Sequence, residues 1–154
     1  MATRPIFLSR PTSLSDSKAA EADRFERFLN EQGFHALRLG GENYSTKAPL
    51  QAVIDIMSQC EGAIILGYPK QTICVSGFSG DFRAELSTPW NQIEGALAYA
   101  LKKPALVVAH TTVNGGVFDY GITGEFVLRA DLENDGWFKT KQFLGVFADW
   151  KTRV

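Results

Sequence analysis

The chain has almost no charge of one sign to spare. Its 16 Lys and Arg stand against 17 Asp and Glu, a net charge of −1 over 154 residues. Without a basic field or a Lys/Arg cluster there is no track for a phosphate backbone, so nucleic acid is not an expected partner. Histidine and cysteine are scarce, with two of each. His35, His110, Cys60 and Cys74 fall in no C-x-x-C or paired-histidine spacing, and no metal site is expected. Two cysteines make no disulfide framework, and both are expected to be reduced, buried thiols. No segment approaches the roughly 20 apolar residues of a membrane span. The opening MATRPIFLSRP lacks the apolar stretch of a secretory leader. The expected location is therefore the cytoplasm, with no membrane partner.

Aromatic residues are plentiful, with eleven Phe, four Tyr and three Trp. They suit a packed core and a site that stacks on a flat ring. The length fits one domain spanning residues 1–154. Periodicity then alternates between two kinds of segment. Strand-like runs are Pro5–Leu8, Phe34–Leu39, Gly62–Tyr68, Ala105–Ala109 and Glu125–Ala130. Helical spacing appears over Asp16–Gln32, over Ala48–Gln59 (apolar at Leu50, Val53, Ile54 and Met57), and in the tail Trp137–Lys151. A third helix starts at Ser87-Thr88-Pro89, with Thr88 as cap and Pro89 in the first turn. Ile93, Ala96, Leu97, Ala100 and Leu101 form its expected buried face. A polar loop is expected at Glu42–Lys47. Pro69–Leu86 reads as an excursion from the core with a short strand at Ile73–Val75, and Gly77-Phe78-Ser79-Gly80 as a surface loop.

Strands alternating with helices imply right-handed crossovers and a parallel sheet. The expected class is α/β: a flavodoxin-like three-layer sandwich on a five-stranded, mostly parallel sheet in the order 2-1-3-4-5. Ligands bind such folds beyond the C-terminal strand ends, at the switch point between strands one and three. Ser9–Ser13, Gly67-Tyr68-Pro69 and the start of the third helix are expected to meet there. No P-loop and no G-x-G-x-x-G is present.

The most informative segment is Ser87-Thr88-Pro89-Trp90-Asn91-Gln92-Ile93-Glu94. Trp90, Asn91 and Glu94 share one side of a helix. Glu94 at the edge of the apolar face is a candidate catalytic carboxylate, able to stabilise or trap the oxocarbenium-like sugar formed when a C–N glycosidic bond breaks. A solvated helix glutamate is the plain alternative. Asn91 and Ser9 are candidates for positioning a ribose, Trp90 or Tyr68 for stacking on a base, and Arg10 and Pro11 for a phosphate-holding loop. His110 ends the fourth strand at the same edge and joins the candidate binding set. His35 reads as a partly buried structural residue. Asp119 and Tyr120 are either a cover for the cleft or ordinary loop residues.

Three stretches carry a family resemblance: Ile6–Pro11, Cys60–Gly67, and Glu94-Gly95-Ala96-Leu97-Ala98-Tyr99-Ala100-Leu101-Lys102-Lys103-Pro104. The chain, over Ile6–Ala109, resembles the nucleoside 2-deoxyribosyltransferase-like proteins and the related TIR-like domains. The resemblance implies that Glu94 is the nucleophile and that the substrate is a small nucleoside or nucleotide, NAD included. It also implies that no separate cofactor is needed, that the protein is a homo-oligomer, and that a role in bacterial defence is open. Ser87-Thr88-Pro89-Trp90 stands where the transferases carry an Asp-Gly-Thr-like segment, which keeps a non-catalytic nucleotide-binding or signalling module as the alternative.

Overall fold

Strands buried on both faces need continuous apolar runs, and the chain supplies them at the centre of its sheet. The computed structural model describes residues 3–40, 46–77 and 80–154. Seven strands occur among them: β1 (Arg4–Ser9), β2 (Phe34–Leu37), β3 (Gly62–Gly67), β4 (Gln71–Gly77), β5 (Gly80–Leu86), β6 (Ala105–His110) and β7 (Val127–Ala130). Five of them form the central sheet, all neighbours parallel, in the order β2-β1-β3-β6-β7. This is the flavodoxin-like order, with every sheet pairing parallel. Each residue of β3 and of β6 is buried.

Alternation along the strands divides the core into two layers. Ile6, Leu8, Ile64, Leu66, Leu106, Val108 and Leu128 face α1 (Asp16–Glu31) and α4 (Lys141–Lys151). Aromatics dominate that layer: Phe25 lies 4.8 Å from Trp137 and 5.8 Å from Phe143, ring centre to ring centre. Phe7, Ala63, Ile65, Ala105, Val107, Ala109 and Val127 face α2 (Pro49–Ser58) and α3 (Pro89–Ala100). Side chains on this second side are smaller, and α3 packs closely on the turn that follows β6. A Cβ on Gly95 would lie 2.8 Å from Val117, and one on Gly67, at the end of β3, 2.7 Å from the Phe118 ring.

That close seat corrects the expected orientation of α3. Its buried residues are Asn91, Gly95 and Ala98, at i, i+4 and i+7. Ile93, Ala96 and Ala100 face outward. Leu97 and Leu101 are partly buried and pack against this layer as expected, so the helix is turned from its expected face rather than reversed. In α2 the buried set is Ala52, Val53 and Met57, while Leu50 is exposed. Thr88 caps α3 as expected, accepting a hydrogen bond from the Asn91 backbone N–H at 3.2 Å.

The excursion is more regular than the sequence pattern suggests. Strands β4 and β5 form an antiparallel ribbon inserted between β3 and α3. Gly77 and Gly80 pair within it, while Phe78 and Ser79 lie outside the described residues. The polar loop expected at Glu42–Lys47 also lies largely outside them. Cys60 is buried as expected, but Cys74, on the ribbon, is exposed. His35 is likewise exposed on β2 rather than partly buried. Among the described residues no helix is long and apolar enough to cross a membrane.

Candidate functional site

Phe7 and Ser9 lie on the same face of β1, and Ser9 is its last residue. Ser9 therefore emerges at the C-terminal sheet edge on the side covered by α3, directly under the first turns of that helix. The Ser9 hydroxyl donates to the Glu94 carboxylate in a short hydrogen bond. The Asn91 amide donates to the Ser9 oxygen at 2.7 Å. The three side chains form one line, Asn91 to Ser9 to Glu94. Ser9 and Asn91 are each only 1% exposed, so both serve the carboxylate rather than the open cleft. The Asn91 Oδ1 is buried without a hydrogen-bond partner among the described residues.

Glu94 is the member that reaches the cleft. Burial pushes its carboxyl up from the ordinary 4.5 to about 7, and the Ser9 hydrogen bond pulls weakly the other way. Desolvation disfavours the charged form, and one hydroxyl donor compensates it only in part. The cleft, about 230 Å³, is walled by Leu8 of β1, by Arg10, Pro11 and Thr12 after it, by Arg38 and Leu39 after β2, by Val53 of α2, and by Thr88, Trp90 and Glu94. It opens on the C-terminal side of the sheet, between the ends of β1 and β2 rather than between β1 and β3, and the expected third segment, Gly67-Tyr68-Pro69, does not line it. Trp90 is half exposed on its rim.

Arg10 is present in the wall but engaged. Its Nε donates to Glu26 at 2.9 Å and its Nη2 to Asp23 at 3.4 Å. Arg38 shares Glu26, at 3.7 Å. Two guanidinium groups thus line one wall, their charge partly met by carboxylates of α1.

Two expected binding residues lie elsewhere. Tyr68 is a correction: it continues the Ile64–Leu66 face and is 1% exposed in the layer with α1 and α4, so no ring face is free to stack on a base. Burial raises its hydroxyl to about 12, and that hydroxyl has no hydrogen-bond partner among the described residues. His110 is a correction of the same kind. It continues the Leu106–Val108 face, and its Nδ1 accepts the Leu132 backbone N–H at 3.1 Å, with Asp131 at 3.6 Å. Asp119 accepts the Gly115 N–H at 2.9 Å and Tyr120 points to solvent; neither lines the cleft.

Sequence reasoning missed Arg38, Leu39 and Val53, which follow from β2 being the neighbour of β1. It also missed Gln92. That side chain ties α3 to the turn after β6, accepting the Val117 N–H at 2.9 Å and donating to the Gly115 carbonyl at 3.1 Å. A second hollow of about 260 Å³ lies at the far end of α3, beside Tyr99, Lys102 and Lys103, away from the line of Asn91, Ser9 and Glu94.

No protein-family model matches the sequence, and no curated protein matches it.

Proposed function

We propose that the protein cleaves, or transfers across, the C–N glycosidic bond of a nucleoside or nucleotide, with Glu94 as the carboxylate at the anomeric carbon. The observation that carries this reading is the cleft-facing Glu94, held by the buried Ser9 hydroxyl, its carboxyl pushed up to about 7 by burial. A group poised there changes protonation state at modest cost. In the reaction the base leaves with the C–N electron pair, and positive charge builds on the sugar. The ionised carboxylate lies in a partly desolvated wall, where its attraction for that cation is stronger than in water. It either shields the cation until water attacks or bonds to it and yields the sugar to an acceptor. Asn91 and Ser9 act as positioning residues, fixing the Glu94 rotamer. Among the described residues Trp90 is the one aromatic in the cleft wall, placed to meet the base.

The test is to incubate the protein with NAD, nucleosides and deoxynucleosides and to follow base release by chromatography. Turnover with at least one substrate class is expected, together with its loss in Glu94→Gln. No turnover with any class, or full turnover by the variant, would overturn the role given to Glu94.

One observation favours a second reading. Ser9 and Asn91 are spent on Glu94, so the cleft offers few side chains for sugar hydroxyls. A non-catalytic nucleotide-binding module would show ligand-dependent thermal stabilisation without product.

A further inference from the structure

The β4–β5 ribbon is the part of the molecule least explained by the cleft. All seven residues of β4 are exposed. Among the described residues β4 pairs with β5 alone, so its second edge carries unpaired backbone N–H and C=O groups. Such edges template pairing with another strand, and proteins usually blunt them with charge, proline or a cover. The two strands of the ribbon differ in this respect. β5 carries Asp81, Arg83 and Glu85, and its outer edge is partly closed where Asn114 N–H donates to the Glu85 carbonyl at 3.1 Å. β4, Gln-Thr-Ile-Cys-Val-Ser-Gly, has no charge and no proline, and its centre is rich in residues that favour strands. Two strands alone are marginal in water, whereas more strands make a stable sheet.

We propose that β4 is a docking edge for a second copy of this chain, the two β4 strands joining antiparallel about a two-fold axis at Cys74. The sequence is self-complementary about that residue. Ile73 of one copy meets Val75 of the other, and Thr72 meets Ser76, a β-branched pair and a hydroxyl pair on each side of the axis. Because the strand is uncharged, the symmetric pairing brings no like charges together. The result is one four-stranded antiparallel sheet spanning both copies, with Ile73, Val75 and Phe82 continuous on one of its faces. This is an isologous contact, which closes at the dimer and builds no filament. It is independent of the chemistry assigned to Glu94.

The register is open to direct test because Cys74 is an exposed free thiol. Residues opposed in an antiparallel pair have Cα atoms about 4.5–5.5 Å apart, within disulfide reach. Diamide, which takes up the two protons and two electrons of a thiol pair, is expected to give a covalent dimer through Cys74, identified by peptide mapping. Sedimentation equilibrium is expected to show a dimer for wild type and for Cys74→Ser. In Cys74→Glu the new carboxylate sits beside Arg83 within its own ribbon, so the ribbon is kept, but it faces its own copy across the axis. Dimer affinity is expected to fall at least about tenfold, with circular dichroism unchanged. A wild type that stays monomeric at every concentration would overturn the proposal and leave the edge to a strand of another polypeptide. A dimer equally tight in Cys74→Glu would place the contact elsewhere and overturn it as well.

Discussion

Replacing Glu94 by glutamine is expected to make the protein more stable, and only at high pH. The reason lies in where the proton sits in each state. In the unfolded chain the Glu94 carboxyl titrates near 4.5; in the folded chain it titrates near 7 because burial disfavours its charge. Below pH 4.5 both states hold the proton and no penalty exists. Between 4.5 and 7 the unfolded state ionises first, and folding stability falls as pH rises. Above 7 the loss is complete. Stability drops by about 1.4 kcal/mol for each pH unit crossed in that window, about 3 kcal/mol in all, reduced toward about 2 by solvent at the cleft mouth. Glutamine has nearly the same shape, accepts the Ser9 hydroxyl and never ionises. Urea denaturation of both proteins at pH 4 and pH 8 checks the claim: the midpoints should nearly coincide at pH 4, and the variant should be the more stable by about 2–3 kcal/mol at pH 8. At this chain length each kcal/mol moves the melting temperature by about 2–4 °C, so melting curves give a second reading. Parallel pH profiles, or a wild type more stable than the variant at pH 8, would refute the reasoning.

Two further outcomes follow from the same geometry. Ser9→Ala removes the one donor that pulls the Glu94 carboxyl down, so its titration, followed by carboxyl NMR, should move to higher pH; movement to lower pH would contradict the assigned hydrogen bond. Gly67→Ala places a methyl group 2.7 Å from the Phe118 ring and should cost about 1–3 kcal/mol in urea denaturation, whereas a neutral result would mean that the ring moves freely.

Much of this architecture is legible from periodicity. The five sheet strands and four helices announce themselves by runs and spacing, alternation implies the parallel sheet, and the order is the one expected of five strands in a flavodoxin-like sheet. Glu94 is legible as well, because a Trp-Asn-Gln turn is an odd way to begin a surface helix. The differences at Tyr68 and His110 share a cause. Both belong to a face fixed by the strand before them: two residues past Leu66 and past Val108, each must point where those residues point. Closeness to the functional edge suggests a site residue, but strand parity decides which way the side chain turns. The rotation of α3 is hidden for a different reason. A helix normally buries its largest apolar residues, but Val117 in the turn after β6 leaves no room for a side chain at Gly95, which goes inward with Ala98 while Leu97 and Leu101 pack only partly. Polarity veils the ribbon, although Thr72 to Ser76 alternates as an exposed strand should.

The two ends of that ribbon meet. Lys70 N–H donates to the Leu86 carbonyl at 2.9 Å, so the polypeptide departs from the body and rejoins it at almost one point. Everything between is a detour that the crossover from β3 to α3 does not require. Such an appendage can be lengthened, trimmed or swapped while the hydrophobic layers beneath keep their shape, so its exposed edge can change without touching the cleft beside Glu94.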